Sequence, residues 1–479
     1  MTIPSQEISQ ELVPDPFGRS STILRSSSKS TSLKAANQGR FRKVNKCGSA
    51  RNQNTNSGVE PNISWYKTHH PNHCFNSKES IMFQSLWIRL NVFLNKLQLH
   101  HNGKHTSLEL AVKGLRYLGI WCMDRTRENS SYKIYNKVIL AVTNIFVITA
   151  TCDLCGSISD YENFLDGACI LTAFYMILYK RIEFHVKQSE IEKIINILHK
   201  RAQFIFISAN ERNRKKYCEY LQEEYALIIL LGIIAFTLSS AFTFQPLLSH
   251  SSALPFRAKY PFSTEAGSYA YIFIYLYQSV CCFILIFQIY YMDTSTIIMV
   301  NQACLYLEYV CDSFRNLGAQ GHTHSKIKDV LGRIVHEHQR IISLINYINE
   351  AFHHMLVVQV ISSTSLLCLT GYEVTVTNEK SSHFKYIFYM FSALLQIFFW
   401  CFYGNRISHQ SSKVAEAAYN CMWIGCPKGF INDLQFIIMR GQKPLAISAY
   451  PFYDFDFESF IKILSASCSY FTLIRTLNQ

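Results

Sequence analysis

Long apolar runs alternate with polar segments along most of this 479-residue chain. Six of the runs are close to the ~20 residues that a helix needs to cross the hydrocarbon core of a bilayer. A seventh run, near the end of the chain, is weaker. The pattern predicts an all-α membrane protein with seven transmembrane helices. The runs lie near residues 137–157, 164–180, 223–244, 269–292, 354–372, 384–404 and 457–476.

Basic residues in the loops predict the orientation of these helices. Four alternate loops hold twenty-three Lys and Arg, whereas the other three hold only three. Because cytoplasmic loops carry the excess of basic residues, the N-terminus is predicted to be cytoplasmic and the C-terminus extracellular. This is the reverse of a G-protein-coupled receptor. The basic loops are 113–137, 180–222, 294–349 and 404–413, and the others are 153–166, 245–268 and 373–383.

Composition and charge narrow the function classes. Only 16% of the residues are charged while 49% are hydrophobic, and soluble proteins carry about 25% charged residues. The net charge of +13 lies mainly in the N-terminal tail and the basic loops, so membrane orientation explains it and no nucleic-acid partner is expected. The spans hold almost no His, Asp or Glu, which argues against an embedded enzyme, and we expect no metal or cofactor. A transporter is expected to show broken helices and an inverted repeat, which the sequence lacks.

A polar stripe runs along the seventh apolar run. Its members follow steps of three and four residues, which keep to one face of a helix. In hydrocarbon such a stripe must face protein or water. Two interpretations stay open, because small hydroxyl residues also let helices pack closely, whereas several copies of the stripe could line an aqueous pore. The members are Glu458, Lys462, Ser465, Ser469, Thr472 and Thr476.

The C-terminal region resembles that of the insect odorant receptor family. The closing run Ser-Cys-Ser-Tyr-Phe-Thr-Leu-Ile-Arg at 467–475 is similar to the closing motif of that family. Upstream, the segments 418–423, 440–445 and 457–460 match in the same order and at similar spacing. From about Leu108 onward the remainder agrees in layout more than in motif.

The resemblance implies an odour-gated, nonselective cation channel of the plasma membrane, expected in olfactory neuron dendrites. Such channels bind small volatile odorants and form heterotetramers with a shared co-receptor. The ending at 476–479 is unlike that of the co-receptor, so an odour-tuned subunit is predicted. A gustatory receptor, a related channel, is the nearest alternative, but it usually closes with a Thr-Tyr and Gln-Phe pattern that this chain lacks.

The resemblance also implies a division of the chain. We expect an atypical, disordered extension at 1–107, transmembrane helices one to six at 108–407, and a seventh helix at 408–479. That helix is split into a cytoplasmic anchor and a pore-lining half. The extension has no counterpart in the family. Because Met82 begins a product of more typical length, residues 1–81 are expected to be non-native or regulatory.

Site residues follow from this resemblance and from helix periodicity. Five residues of the last helix are predicted to line the pore, with Leu473 closing it by dewetting. The odorant pocket is expected in the outer half of the membrane, between the second, third, fourth and sixth helices, although each residue there could also be ordinary packing. The pore residues are Ser465, Ser469, Thr472, Leu473 and Thr476, and the pocket residues are Leu171, Phe174, Tyr175, Phe236, Ser239, Phe242, Tyr271, Tyr275, Tyr386 and Tyr389.

Overall fold

The structure, a computed structural model, describes most of the chain after residue 105. The prediction for the N-terminal extension therefore falls outside the described residues, except for its last two positions. The described ranges are 106–120, 130–208, 211–248, 253–262, 268–317, 324–376, 380–449 and 453–477.

Ten helices and one two-stranded antiparallel sheet make up the regular structure of these ranges. In the sheet Ser448 lies opposite Asp454 and Ala449 opposite Tyr453. The elements in chain order are α1 (Thr106–Tyr117), α2 (Ser130–Gly156), α3 (Tyr161–Val186), α4 (Gln188–Ser208), α5 (Glu211–Leu248), α6 (Tyr269–Arg315), α7 (His324–Val376), α8 (Lys380–Tyr419), α9 (Lys428–Gly441), β1 (Ser448–Ala449), β2 (Tyr453–Asp454) and α10 (Phe457–Leu477).

Each of the seven apolar runs lies within a helix, namely α2, α3, α5, α6, α7, α8 and α10. Five of them, α2, α5, α6, α7 and α8, are long and apolar enough to cross a bilayer by length and composition. The apolar runs of the other two are interrupted by polar residues, namely Asp166 and Lys180 in α3 and the polar stripe in α10. Large apolar side chains are exposed on the outer faces of the bundle, as expected of surfaces that contact lipid tails. Examples are Ile145, Ile148, Ile233, Phe273, Leu276, Phe388 and Phe391.

Two helices are much longer than the membrane is thick. Helix α6 has 47 residues and α7 has 53, which at 1.5 Å per residue gives roughly 70 and 80 Å against a hydrocarbon core of ~30 Å. The sequence predicts the extension of α7, because Ile334, Ile341 and Ile345 recur at helical steps, and these residues are buried.

The extension of α6 corrects the sequence analysis, which assigned residues 294–349 to a loop. Helix α6 continues without a break to Arg315. Its continuation is buried on nearly every face, and the buried residues include Thr294, Ser295, Asn301 and Gln302. A helix that packs against protein on every side has no amphipathic pattern in its sequence. The sequence pattern therefore did not reveal the extension of α6.

The last part of the chain contains α9 and α10 with the small sheet between them. Helix α9 packs on α8, and α10 packs mainly on α7 and also on α8. At the start of α10 the Asp456 carboxylate accepts a hydrogen bond from the Ser459 backbone N–H at 2.7 Å, which caps the helix. Helix α8 runs unbroken to Tyr419, so the domain boundary predicted at 407/408 falls inside a helix.

Helix α8 approaches the start of α10 closely at Gly404. A Cβ atom added to Gly404 would overlap the carbonyl oxygen of Phe455. We expect Gly404→Ala to lower the free energy of unfolding by about 1–3 kcal/mol, the usual cost of overpacking. The measurement is thermal unfolding of the detergent-solubilised protein, followed by fluorescence-detected size exclusion.

The matched control for this substitution is Gly332→Ala. Gly332 lies in α7, and an added Cβ there meets nothing within 4 Å. Because alanine is the better helix former by about 1 kcal/mol, this variant should be as stable as the original chain or more so. Equal melting temperatures for the two variants would contradict the close approach at Gly404.

Candidate functional site

A cavity of about 130 Å³ lies between α3, α5, α6 and α8. These are the second, third, fourth and sixth of the predicted spans. An engineered cavity of about 150 Å³ lined by Leu, Ile and Phe holds a benzene molecule, so this cavity suits a ring-sized ligand. Its walls are mainly apolar. They are formed by Ile170, Ala173, Phe174, Met176 and Ile177 of α3, Leu231, Ile234, Ala235, Leu238 and Phe242 of α5, Cys282, Ile286, Ile289, Tyr290, Asp293 and Ile297 of α6, Leu366 of α7, Tyr389, Ser392, Ala393, Leu395, Gln396, Phe399 and Trp400 of α8, and Phe256.

Aromatic rings form one end of the cavity. Three of the ten predicted pocket residues, Phe174, Phe242 and Tyr389, lie on this wall. The Phe242 ring is 5.4 Å from the Tyr389 ring, edge to face, and 5.4 Å from the Phe256 ring, stacked. Phe256 belongs to the segment after α5 and was not predicted, because no helical period extends into that segment.

Four of the other predicted pocket residues do not line the cavity. Tyr175 and Phe236 are 50% and 57% exposed on the outside of the bundle. The Ser239 hydroxyl donates to the backbone oxygen of Ala235 at 2.8 Å, and Leu171 is buried without reaching the cavity. Spacing of three and four residues identifies a helix face, but it does not tell which face meets the cavity.

The remaining three are tyrosines that hold other segments in place. Tyr386 donates its hydroxyl to the Asp166 carboxylate of α3. Tyr275 donates to a backbone oxygen of α5, and Tyr271 donates to the backbone oxygen of Ala253 at 3.2 Å. In this structure these three therefore fasten the ends of helices. A ligand-binding role for the ten residues stays a prediction.

The opposite end of the cavity is a polar floor that the sequence analysis missed. The Lys180 ammonium lies 2.6 Å from the Asp293 carboxylate and also donates to the side-chain oxygen of Gln359. The Gln396 side-chain nitrogen donates to the other Asp293 oxygen at 2.5 Å. The Trp400 ring lies 5.8 Å from the Lys180 ammonium. Asp293, Gln396 and Trp400 line the cavity.

The polar floor is buried in the middle of the bundle. Lys180 and Asp293 are only 1% and 5% exposed, and a buried charge is tolerated when a partner of opposite sign and hydrogen bonds compensate it. In sequence the two charges stand at the ends of two apolar runs, 113 positions apart. Charged residues commonly follow the end of a transmembrane run, so nothing in the sequence indicated that Lys180 and Asp293 pair with each other.

Helix α10 turns its polar stripe away from the other described helices. All six members are exposed, whereas Ser459, Ile463 and Ser467 on the opposite side are buried against the bundle. Among the described residues, the stripe is thus not a packing seam. Leu473, three and four residues from stripe members, is 54% exposed.

Three of the four hydroxyl groups of the stripe donate hydrogen bonds within their own helix. Ser469 donates to the backbone oxygen of Ser465 at 3.0 Å, and Thr472 donates to that of Ser469 at 2.8 Å. Thr476 donates to the backbone oxygen of Thr472 at 3.1 Å. Because the hydrogen atoms point along the helix, the oxygen lone pairs remain as acceptors, which is suitable for contact with water or cations.

Acidic groups surround the N-terminal end of this helix. Glu458 pairs with Lys462 at 2.7 Å on the exposed face. Partial desolvation and the neighbouring Asp456 carboxylate raise the pKa of the Asp454 carboxyl above its ordinary value. Asp454 therefore carries its negative charge less readily than an isolated aspartate in water.

Comparison with known proteins agrees with this geometry. A family model described as 7tm Odorant receptor matches residues 160–468. The chain belongs to the odorant receptor family. It is therefore an odorant-binding, ligand-gated cation channel subunit and not an enzyme, as the sequence analysis predicted.

Individual relatives cover most of the receptor. It is 25% identical to Odorant receptor 47b of Drosophila melanogaster over 398 residues, which span 80% of this chain and 95% of the relative. It is 26% identical to Odorant receptor 10 of Aedes albopictus over 320 residues, 66% of this chain and 76% of the relative.

A solved structure shares the fold of the receptor. The insect olfactory receptor OR5 from Machilis hrabei, in complex with eugenol, superimposes with a TM-score of 0.68 at 17% sequence identity. The match covers 77% of this chain and 97% of that chain. The predicted fold, an all-α membrane protein with seven transmembrane helices, is confirmed.

The polar floor yields a stability prediction. Lys180→Met leaves the Asp293 charge buried without its counter-ion, and we expect it to cost about 3–5 kcal/mol of stability. The double variant Lys180→Met/Asp293→Leu removes both charges and should recover most of that loss. Thermal unfolding in detergent measures both variants. A double variant as unstable as the single one would show that loss of the ion pair is not the cause.

Proposed function

We propose that this receptor is an odour-tuned subunit of a cation channel in the plasma membrane. In this proposal it assembles with a co-receptor into a heterotetramer, binds a small volatile odorant in the cavity and lines part of the pore with the polar stripe of α10. The observation that carries the proposal is the stripe itself, which is exposed on a helix whose opposite side is packed against the bundle.

The proposed orientation follows from the distribution of basic residues. The segment joining α6 to α7, helix α4 and the end of α8 all belong to loops rich in Lys and Arg. Such loops are retained in the cytoplasm, so the long extensions of α6 and α7 lie inside the cell in this proposal. The end of α10 is then extracellular, and the Asp454–Glu458 segment lies at the cytoplasmic entrance of the pore.

Pore lining explains why the stripe packs against no other described helix. A row of hydroxyl groups in hydrocarbon requires water or protein against it, and copies of α10 around an axis supply a water-filled path. Arg475 is exposed near the outer end of the helix. A full ring of this residue would repel cations, so mixed assembly, with fewer copies of it around the axis, suits conduction better.

Helix α8 connects the cavity to the pore helix in this proposal. It carries Gln396 and Trp400 on the cavity floor. The Trp400 ring lies 5.9 Å from that of Phe455, just before α10. The Phe398 ring lies 6.3 Å and 5.8 Å from those of Phe457 and Phe460 in the first turn of α10. A shift of α8 on ligand binding would therefore act on the start of α10. To open the channel, the ligand must bind the open state more tightly than the closed state.

Co-expression with a co-receptor tests the function. Whole-cell recording across an odour panel should show odour-evoked cation current only when both chains are present. The pore face is tested in the same cells with Ser469→Cys and its matched control Ser467→Cys, both in a Cys468→Ser background because Cys468 is exposed. A water-soluble thiol reagent should block current through the Ser469→Cys channel and spare the control, since Ser467 is buried.

Two outcomes would count against these assignments. Odour-evoked current from this chain alone would remove the need for a co-receptor. Block of the Ser467→Cys channel with sparing of Ser469→Cys would place the pore on the other face of α10.

Leu473 gives a separate prediction about gating. Replacing Leu473 with Ser should raise the current in the absence of odour several-fold, because a polar ring no longer excludes water from the closed pore. The matched control is Ile461→Ser, which changes another exposed aliphatic residue on a different side of the same helix. Unchanged basal conductance in Leu473→Ser would contradict the gate assignment.

A further inference from the structure

Phe256 forms part of the cavity wall although it belongs to no helix. It lies in the segment 253–262, which connects α5 to α6, and it is only 3% exposed. Connecting segments usually run over the surface of a protein and vary in position. The contacts that hold this segment in the bundle therefore decide where the cavity ends.

Gln278 of α6 holds the backbone of Phe256. Its side-chain oxygen accepts a hydrogen bond from the Phe256 backbone N–H at 2.9 Å, and its side-chain nitrogen donates to the Phe256 backbone oxygen at 3.0 Å. The same nitrogen donates to the Tyr260 hydroxyl at 3.0 Å. Gln278 is 0% exposed. Its amide thus satisfies both backbone groups of a buried residue that no helix or strand satisfies.

Two other helices hold the same segment from the outside. The Lys259 backbone N–H donates to the backbone oxygen of Thr149 in α2 at 3.1 Å. The Arg257 guanidinium lies 3.4 Å from the Asp153 carboxylate of α2 and donates to the side-chain oxygen of Asn163 in α3. The segment is therefore attached to α2, α3 and α6, and the Phe256 wall is in place before a ligand arrives.

The Phe256 ring lies among other aromatic rings. It is 5.5 Å from the Phe146 ring, 5.6 Å from the Phe174 ring and 5.4 Å from the Phe242 ring. Such surroundings favour an aromatic ring, whether it belongs to the protein or to a ligand. The remaining cavity of about 130 Å³ has room for one more ring. The Phe256 side chain therefore occupies the space that a second ring of a ligand would need.

We propose that Phe256, positioned by Gln278, sets the upper size limit of the odorants that this receptor accepts. Odorants with one ring fit the cavity, and odorants with two fused rings are excluded by the Phe256 ring. The residue that limits ligand size then lies outside the transmembrane helices. The inference rests on the proposed function, because it takes the cavity as the odorant site.

The test uses pairs of odorants that differ by one fused ring. Acetophenone is paired with 2-acetonaphthone, and toluene with 2-methylnaphthalene. The receptor is co-expressed with a co-receptor, and the half-maximal concentration is measured for each compound. The original receptor should be more sensitive to the one-ring member of each pair. Phe256→Ala should change the ratio within each pair by roughly tenfold or more in favour of the two-ring member, because the second ring is then buried in the vacated space.

Phe262→Ala is the matched control for this substitution. Phe262 lies in the same segment but is 50% exposed and does not line the cavity. The variant removes the same side chain from the segment, so it should leave the ratio within each pair unchanged. Surface biotinylation verifies that each variant reaches the membrane.

Gln278→Met tests the positioning residue. It keeps a side chain of similar length but leaves the Phe256 backbone groups without their buried partner, so the segment should no longer hold the ring in place. We expect the ratio to change in the same direction as in Phe256→Ala. The double variant should show no larger change than Phe256→Ala alone, because both substitutions act through one ring. A purely structural role of Gln278 would weaken the responses to both members alike and leave the ratio unchanged.

The outcomes separate this inference from the proposed function. Absence of current for every odour in a broad panel overturns the proposed function. The inference alone is overturned by an original receptor that prefers the two-ring members, or that responds to other odours but to neither one-ring compound. A Phe256→Ala channel that keeps the original ratio also overturns it. If Phe256→Ala fails to reach the surface, Phe256→Leu decides, since it is a milder truncation that should change the ratio in the same direction.

Discussion

The Lys180–Asp293 ion pair is the interaction on which the middle of this bundle depends. Hydrocarbon offers no water to solvate a charge, so each of the two groups requires a partner inside the protein. The partners come from four helices, because Lys180 lies on α3, Asp293 on α6, Gln359 on α7 and Gln396 on α8. The ion pair and its two glutamine partners therefore hold four helices together at one level of the bundle. The cavity lies directly beside that point.

With the proposed function, this arrangement places binding and conduction on shared helices. Helix α8 lines the cavity with its central residues and packs on the start of α10 a turn or two later. Helix α7 contributes Gln359 to the polar floor, and its Gly371 packs closely against Phe471 of α10. A ligand that displaces either helix changes the position of α10. Close packing transmits such displacements because interiors contain few voids to absorb them.

As the proposed pore helix, α10 combines two requirements on one short segment. Ile463 and Ser467 on its packed side fit against the bundle, and the stripe on its other side keeps oxygen atoms available to water. Small hydroxyl residues serve both sides, because they allow close helix contact and also solvate ions. This dual use explains why periodicity alone left the packing seam and the pore as open alternatives. The burial pattern of a single subunit removes the packing seam only among the described residues of this chain.

The sequence by itself determined the features that depend on local pattern. Apolar run length identified the spans, helical steps identified the extension of α7, and the order of motifs after Ala418 identified the family. Tertiary structure decided the features that depend on how distant segments face one another. The polar floor joins Lys180 to Asp293 across 113 positions, and Phe256 reaches the cavity from a segment without periodicity. Three of ten predicted pocket residues line the cavity, because helix spacing defines a face while only packing decides what that face meets.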